Sequence, residues 1–171
     1  WPGGADQMLG TVAANQAIHL VEPLDAPMGS PSIVRGAKLS GNLASLQESD
    51  DNYAVFASEP VGGTQDTMIQ LTFNARRASI SRIDAQFELN VNADDVDVLV
   101  YCLDFDTLEW VSFGKQTVEQ GGDQIALYLD VADPNRCVNS ANKRMRMRFR
   151  TRGPVAHEAS IDYVQVLTYE N

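Results

Sequence analysis

The sequence of residues 83–113 is IDAQFELNVNADDVDVLVYCLDFDTLEWVSF, and this stretch decides the fold class. From Ile83 to Val91, apolar and polar residues alternate without a break. This is the pattern of a β-strand with one buried and one solvated face. After a short acidic turn a second extended run follows at 96–105, and a third begins at Trp110. The stretch therefore predicts three strands joined as a meander.

From Ser32 onward the chain is a succession of short extended runs separated by turn residues. No window of a dozen residues keeps a helical period. Many short strands at this spacing predict a sandwich or a barrel, and long crossings between eight principal strands favour a jelly roll. We predict an all-β, two-sheet antiparallel jelly-roll β-sandwich over residues 32–171. The predicted strands lie near residues 33–39, 42–47, 52–58, 67–74, 80–91, 96–105, 109–113, 123–131, 143–151 and 159–169.

Residues 1–31 are predicted to form an extended N-terminal arm. A short strand is expected at 18–21. Three prolines then follow at Pro23, Pro27 and Pro31, and they exclude a helix or a central strand. This Pro-rich connector can reach up to about 31 Å, at about 3.1 Å per residue. It is either a loop that wraps over the sandwich or a linker that lets the N-terminal strand leave its own domain.

Composition limits the classes of partner. The chain has 171 residues, a hydrophobic fraction of 44%, and a net charge of −10 with a pI near 4.5. Acidity of this size argues against nucleic acid or an anionic membrane as the main partner, and it suits a secreted protein. No apolar run approaches the ~20 residues of a membrane span.

The chain contains two cysteines, Cys102 and Cys137. Cys102 lies in a predicted strand, and Cys137 lies in a polar loop where a free thiol would be exposed to oxidation. We expect a disulfide between them. By closing a loop in the unfolded chain it would stabilise the fold by about 4 kcal/mol, and it would imply an oxidising compartment. The alternative is two free thiols, with Cys102 packed as a small hydrophobe.

The run at 96–105 is apolar on both faces, so an antiparallel strand here needs a cover on each side. The opposite sheet covers one face. The other would be covered by the N-terminal arm, a long loop or another subunit. The candidate assembly residues are Ile18, Leu20, Leu99, Tyr101 and Leu103.

Two motifs carry a resemblance to known families. Residues 161–166, IDYVQV, resemble the closing strand of galactose-binding-like and carbohydrate-binding-module-type jelly rolls. Residues 36–53, with the SDDNY motif at 49–53, resemble a C-terminal domain of secreted bacterial proteins of planctomycete type, which also fits the Arg-alternating strand at 144–150. The resemblance implies an extracellular or cell-surface β-sandwich. The chain departs from typical sugar binders because it lacks an obvious row of exposed tryptophans.

Acidic clusters suggest a calcium site. Residues 49–52, SDDN, place hard oxygen ligands in one loop, and calcium takes ligands of this type. The family resemblance adds Asp162 on the closing strand. The alternative is that these Asp and Asn residues form turns by bonding their own backbone. The candidate ligands of a structural Ca²⁺ ion are Asp50, Asp51 and Asp162.

Residues 143–152 contain six of the thirteen basic residues. The arginines at even positions from 144 to 152 fall at period two and share one face, while Met145, Met147 and Phe149 point to the core. One interpretation is a docking ladder for an anionic polymer. The other, which cross-strand energetics favour, is a solvated face paired with acids such as Asp84, Glu88 or Asp130.

Aromatic side chains offer candidate platforms for stacking on sugar. The candidates are Trp110, Tyr53, Tyr101 and Tyr128. Trp110 follows a turn and so could stand at a sheet rim, although most tryptophans in such folds are packed in the core.

Catalysis has little support in the sequence. His19 and His157 are isolated, and neither a nucleophile elbow nor a zinc-ligand pair is present. We predict a non-catalytic extracellular β-sandwich module for attachment or assembly, which binds other protein subunits or cell-surface components and could form a homo-oligomer. The alternative is a calcium-stabilised carbohydrate-binding module whose partner is a polysaccharide.

Overall fold

The computed structural model describes residues 17–21, 32–75, 77–129 and 133–170. These residues form two antiparallel sheets and two short 3₁₀ turns, which confirms the predicted all-β, two-sheet antiparallel sandwich. The strands are β1 (Ala17–Val21), β2 (Ser32–Arg35), β3 (Ala37–Ser40), β4 (Ala54–Ala57), β5 (Glu59–Val61), β6 (Thr64–Asn74), β7 (Arg82–Val91), β8 (Val96–Leu103), β9 (Trp110–Val118), β10 (Gln124–Leu129), β11 (Arg144–Gly153) and β12 (Glu158–Glu170), and the 3₁₀ turns are Ala44–Leu46 and Pro134–Cys137.

The first sheet has the order β10-β7-β12-β4-β3, with β1 also paired to β12, and the second has the order β2-β6-β11-β8-β9, with β5 paired to β6. The predicted three-strand meander is therefore wrong. β7 pairs with β10 and β12 in the first sheet, whereas β8 pairs with β9 and β11 in the second. Residues 92–95, with Asp95 at a φ of 56°, carry the chain from one sheet to the other.

Two predicted strands take other forms. The expected strand at 33–39 divides at Gly36, where φ is +80° and a Cβ atom would lie 2.3 Å from the carbonyl oxygen of Ala57. β2 and β3 consequently belong to different sheets. The expected strand at 42–47 is a 3₁₀ turn instead, because the Asn42 side chain accepts the backbone N–H of Ala44 at 2.8 Å and so favours a turn.

The core lies between the two sheets and is built from the alternating inward residues of both. Phe87 on β7 contacts Phe149 on β11, with ring centroids 4.2 Å apart, and Phe73 on β6 meets Phe149 edge-on at 6.3 Å. Met145 and Met147, inward on β11, are fully buried. Phe73 and Phe149 lie in the same sheet, whereas Phe87 and Phe149 lie in opposite sheets, so the contact between Phe87 and Phe149 joins the two layers directly.

The N-terminal strand predicted at 18–21 is present as β1. It runs antiparallel to the end of β12 in the same chain, from Ala17 opposite Glu170 to Val21 opposite Val166. The proline-rich connector and the rest of the arm lie outside the described residues. Within those residues no helix is long and apolar enough to cross a membrane.

A disulfide joins Cys102 to Cys137, as predicted, with Cα atoms 5.7 Å apart and both residues buried. It fastens the 3₁₀ turn at Pro134–Cys137 to the end of β8. The backbone N–H of Phe105 donates to the carbonyl of Arg136 at 2.8 Å, and the Arg136 guanidinium pairs with Asp104 at 2.6 Å. The cross-link therefore holds a segment that also has its own polar contacts to the turn after β8.

Removing the disulfide is expected to lower the free energy of unfolding by up to about 4 kcal/mol, because the 35-residue separation closes a long loop in the unfolded chain. Relative to untreated wild type, the melting temperature should be lower by roughly 8–16 °C both in wild type with reductant and in the double variant Cys102→Ala/Cys137→Ala. Reductant should leave the double variant unchanged. Alkylation of two thiols in the unreduced native protein would contradict the cross-link.

His157 is a buried histidine at the corner before β12. Its Nε2 lies 2.8 Å from the hydroxyl of Thr151, which in turn lies 2.8 Å from the hydroxyl of Thr67. Burial lowers the pKa of His157 below its ordinary value of 6.5, while the carbonyl of Val155 and the charge of Asp66 act in the opposite direction. The folded protein therefore favours a neutral imidazole at this corner.

Because the pKa of His157 is lower in the folded than in the unfolded chain, the unfolded chain binds a proton more readily. The contribution of neutral His157 to the stability of the fold should be complete above about pH 6.5, and it should be lost as pH falls from there toward the pKa of His157 in the folded protein. Denaturant unfolding of wild type and His157→Gln from pH 8 to 5 measures this, since titrations shared by both proteins cancel in the difference. If the difference in unfolding free energy between wild type and His157→Gln does not change with pH, His157 does not have a lowered pKa in the folded protein.

Candidate functional site

The outward surface of the second sheet gathers most of the charged and aromatic candidates. Residues directly opposite each other on paired strands point to the same side of a sheet. The registers of β11 with β6 and β8 therefore assemble one surface around the outward arginines of β11. We call this surface the arginine face. Its members are Arg35 on β2; Asp66, Met68, Gln70, Thr72 and Asn74 on β6; Asp97, Leu99, Tyr101 and Leu103 on β8; Trp110, Ser112, Lys115 and Thr117 on β9; and Arg144, Arg146, Arg148, Arg150 and Arg152 on β11.

Trp110 lies on this face, half-buried, at the start of β9, where it pairs with Leu103. The guanidinium carbon of Arg148 lies 3.9 Å from the centroid of the indole ring, which is a close cation–π contact. Arg148 Nε also donates to Oε1 of Gln70 over 3.2 Å. The register places half-buried Tyr101 opposite Arg148. The indole, the phenol and a firmly held guanidinium therefore adjoin one another on an open sheet surface.

One end of the arginine face is organised by Asp66, whose side chain is 0% exposed. Its Oδ2 accepts from Arg35 Nη1 at 2.8 Å and from Arg150 Nη2, and its Oδ1 lies 3.5 Å from Arg152 Nε. Thr64 Oγ1 donates to the same carboxylate at 3.3 Å. A buried carboxylate is tolerated when paired and hydrogen-bonded in this way. These three guanidiniums therefore compensate a charge inside the protein.

Two of the acids expected to pair with the arginine ladder, Asp84 and Glu88, are the wrong ones. Asp84 and Glu88 lie on β7, which belongs to the first sheet, and Asp84 pairs with Arg82 at 2.6 Å. Asp130 lies outside the described residues. The carboxylate that does meet the ladder is Asp66, which the sequence pattern does not single out. The error follows from the meander, which placed β7 beside β8.

A second polar region lies beside the first sheet, around a cavity of about 380 Å³. The Tyr53 hydroxyl lies 2.8 Å from Asp123 Oδ1 and 3.2 Å from Asp51 Oδ1. Burial, followed by the hydrogen bond to Asp123, raises the pKa of Tyr53. The predicted ligand role of Tyr53 stays a prediction, and it concerns a surface other than that of Trp110. The cavity is lined by Ser49, Asp51, Glu88, Asp123 and Ile125.

Asp162 occupies the bulge of β12, where the register with β7 shifts between Ile161 and Tyr163. It is buried, and its two carboxylate oxygens accept the backbone N–H groups of Asp50 at 3.4 Å and Asp51 at 3.3 Å. Burial raises its pKa, against the lowering effect of those hydrogen bonds. The side chain of Asp162 therefore anchors the 49–52 loop by binding the main chain of the loop.

The loop itself has the geometry of a turn. The backbone N–H of Asn52 donates to Oδ1 of Asp50 at 3.1 Å, which is the bond expected when Asp forms a turn with its own backbone. Among the residues that the structure describes, no group of three or more His, Cys, Asp or Glu side chains is placed to hold a metal ion. Calcium binding by Asp50, Asp51 and Asp162 stays a prediction.

Tyr128 lies in the core rather than on a ligand face, which corrects its selection as a sugar platform. It is 3% exposed, points inward from β10 and donates its hydroxyl to the carbonyl of Val98. The inward direction follows from its pairing with Ala85, an inward residue of β7. Sequence alternation alone could not settle this, because β10 also carries apolar residues on its outward face.

The apolar outer face of β8 is not covered by the N-terminal strand, because β1 pairs with β12 in the other sheet. The register instead places Arg150 opposite Leu99 and Arg148 opposite Tyr101, and long arginine stems cover apolar surface while their heads stay in water. The assembly role predicted for Leu99, Tyr101 and Leu103, together with Ile18 and Leu20 of β1, stays a prediction.

The comparisons with known proteins concern the fold. No protein-family model matches the chain, and no curated protein matches it. Among solved structures, the chain is similar to CBM29_1, a family 29 carbohydrate-binding module from Piromyces equi. The TM-score is 0.52 at 10% identity, and the match covers 92% of this chain and 93% of that one. This similarity concerns the fold, an antiparallel β-sandwich.

Two weaker structural matches are of the same kind. TmCBM61 in complex with β-1,4-galactotriose gives a TM-score of 0.42 at 10% identity, over 90% of this chain and 88% of that one. Another family 29 carbohydrate-binding module gives a TM-score of 0.46 at 8% identity, and the match covers 91% of this chain and 90% of that one.

Replacing Asp162 by Asn should lower the free energy of unfolding by about 1–3 kcal/mol, because one carboxylate oxygen that accepts a loop N–H becomes a donor. Asp50→Asn is the matched control. It keeps the acceptor for Asn52 and should change stability by no more than about 0.5 kcal/mol. Chemical denaturation measures both.

The same variants test calcium when melts are repeated with excess chelator. A fall of several degrees in wild type that disappears in Asp162→Asn would support a calcium site, because binding to the native state alone stabilises it. Identical wild-type melts with and without chelator would leave these residues as turn formers. An unchanged stability of Asp162→Asn would contradict the anchoring role.

Proposed function

We propose that this protein is a non-catalytic carbohydrate-binding module that attaches to a polysaccharide through the part of the arginine face that surrounds Trp110 and Arg148. The observation that carries the proposal is the half-buried Trp110 on that face, held by the guanidinium of Arg148 at 3.9 Å and adjoined by Tyr101. The C–H face of a sugar ring packs on an aromatic ring, while guanidinium and amide groups bond its hydroxyls.

The pre-positioning of Trp110 strengthens this interpretation. A side chain that is already held in the free protein loses less conformational entropy on binding, so more of the contact energy becomes affinity. Arg148 is held in turn by Gln70 at 3.2 Å. Aromatic residues and arginine are also the types that dominate binding energy at interfaces.

The fold supports the same class of function by analogy. CBM29_1 is, by its name, a carbohydrate-binding module, and this chain shares its architecture over nearly its whole length. A shared fold alone does not assign a ligand, so the proposed ligand rests on the side chains of the arginine face. The alternative of assembly by strand exchange has less support, because β1 pairs with β12 of its own chain.

An extracellular or cell-surface location belongs to this proposal. The disulfide between Cys102 and Cys137 suits an oxidising compartment, and polysaccharides accessible to a binding module are found on and outside cells. Attachment is the role that such a module would serve, either for its own chain or for a partner at the same surface.

Trp110→Ala tests the proposal against an array of neutral and acidic polysaccharides. The variant should lose roughly thirtyfold or more in affinity for whichever glycan retains the wild type, since hot-spot tryptophans contribute about 2 kcal/mol or more. Affinity electrophoresis finds the glycan and calorimetry measures the loss.

The matched control is Leu39→Ala, which removes an exposed apolar side chain from β3 in the other sheet. Its affinity should equal that of wild type, and all three proteins should melt as folded domains. Wild type that binds no glycan would overturn the proposal. So would a folded Trp110→Ala that binds as tightly as wild type.

A further inference from the structure

The cations of the arginine face divide into a compensated and an uncompensated set. Arg35, Arg150 and Arg152 converge on Asp66, and Lys115 pairs with Asp97 at 3.1 Å. The remaining outward arginines of β11 have no carboxylate within 4 Å in the part of the chain that the structure describes. These uncompensated residues are Arg144, Arg146 and Arg148.

The uncompensated arginines form a strip that starts at the indole of Trp110. Alternate residues of a strand lie about 7 Å apart, so the three side chains extend over about 13 Å along β11. Their partners across the ladder on β6 are neutral hydrogen-bonding residues, in register with the three arginines. These partners are Gln70, Thr72 and Asn74.

This strip is positively charged, although the protein as a whole has a net charge of −10. No carboxylate of the described residues neutralises the strip. Burial lowers the pKa of Arg148, and the charge of Arg35 lowers it further, whereas a neighbouring anion would raise it. An anion bound along the strip would therefore gain charge-assisted hydrogen bonds without displacing a carboxylate of the protein.

We infer that the polysaccharide bound by this face is acidic, with carboxylates on its sugar rings, as in a chain of uronic acids. The inference rests on the proposed function and deepens it. One ring stacks on Trp110, and the carboxylates of the following rings pair with Arg148, Arg146 and Arg144. The guanidinium fork matches a carboxylate in two parallel hydrogen bonds, which a lysine could not provide.

Charge density decides between this ligand and nucleic acid. Double-stranded DNA carries one charge per about 1.7 Å of its axis, and a protein with ten excess negative charges repels such a polymer at long range. A polymer with one carboxylate per sugar is less strongly repelled, and its rings supply the surface that Trp110 requires. The strip therefore favours a uronate chain.

The first test compares polygalacturonate with the same polymer after methyl esterification, which removes the charge and keeps the sugar backbone. Calorimetry on the intact, oxidised chain should give a dissociation constant at least about tenfold lower for the acid form. The difference should shrink as salt rises, because the contacts are between exposed charges.

The second test separates the strip from general positive charge. Arg146→Gln removes an uncompensated, exposed guanidinium and should weaken binding to polygalacturonate by about tenfold, with no effect on the esterified polymer. Arg152→Gln is the matched control. It lies on the same strand and face and is also exposed, but its charge serves Asp66, so it should change affinity less than about threefold.

The possible failures are distinguishable. Equal affinity for the two polymers, with binding that still requires Trp110, would overturn the inference and leave the proposed function standing. Equal losses in Arg146→Gln and Arg152→Gln would also overturn it. So would binding of dextran sulfate or duplex DNA as tight as that of polygalacturonate and independent of Trp110. If no glycan is bound, both the inference and the proposed function fail.

Discussion

The contact between Phe87 and Phe149 across the two sheets is the interaction on which the rest of the structure depends. The rings lie 4.2 Å apart, and Phe149 sits on a strand whose residues must alternate between two faces. Burying Phe149 with Met145 and Met147 therefore forces every intervening arginine outward. A shift of one residue in the register of β11 would place five guanidiniums in the core, at a cost that no pairing inside the sandwich could offset.

That coupling explains why a large part of the candidate site was predictable from the sequence. Alternation is a local property, so it places the five arginines of β11 on one surface whichever strands lie beside them. Trp110 could be placed after a turn for the same reason. The disulfide was predictable because a thiol at Cys137, in a polar loop, would otherwise be exposed. These predictions depend only on residues close together in the chain, or on a single pairing.

The predictions that failed depend on which strands become neighbours. Alternation shows that β7 has a buried face but not that β12 and β10, rather than β8, lie beside it. The misplacement of β7 led directly to the wrong partners for the arginines. Asp66 was missed for a related reason. An acid at the start of a strand has no local sign of burial, and its role appears only when guanidiniums from β2 and β11 reach it.

The crossing at Gly36 gives the molecule a mechanical property. The backbone passes between the sheets there, from β2 to β3, and passes again at Ser58, from β4 to β5. At this corner the layers cannot be pulled apart without stretching covalent bonds or separating one of the connected strands from its sheet neighbour. Asp66 and the arginines it gathers lie on β6 and its neighbours beside the same corner. Tension applied to these residues would therefore act beside two covalent crossings between the sheets.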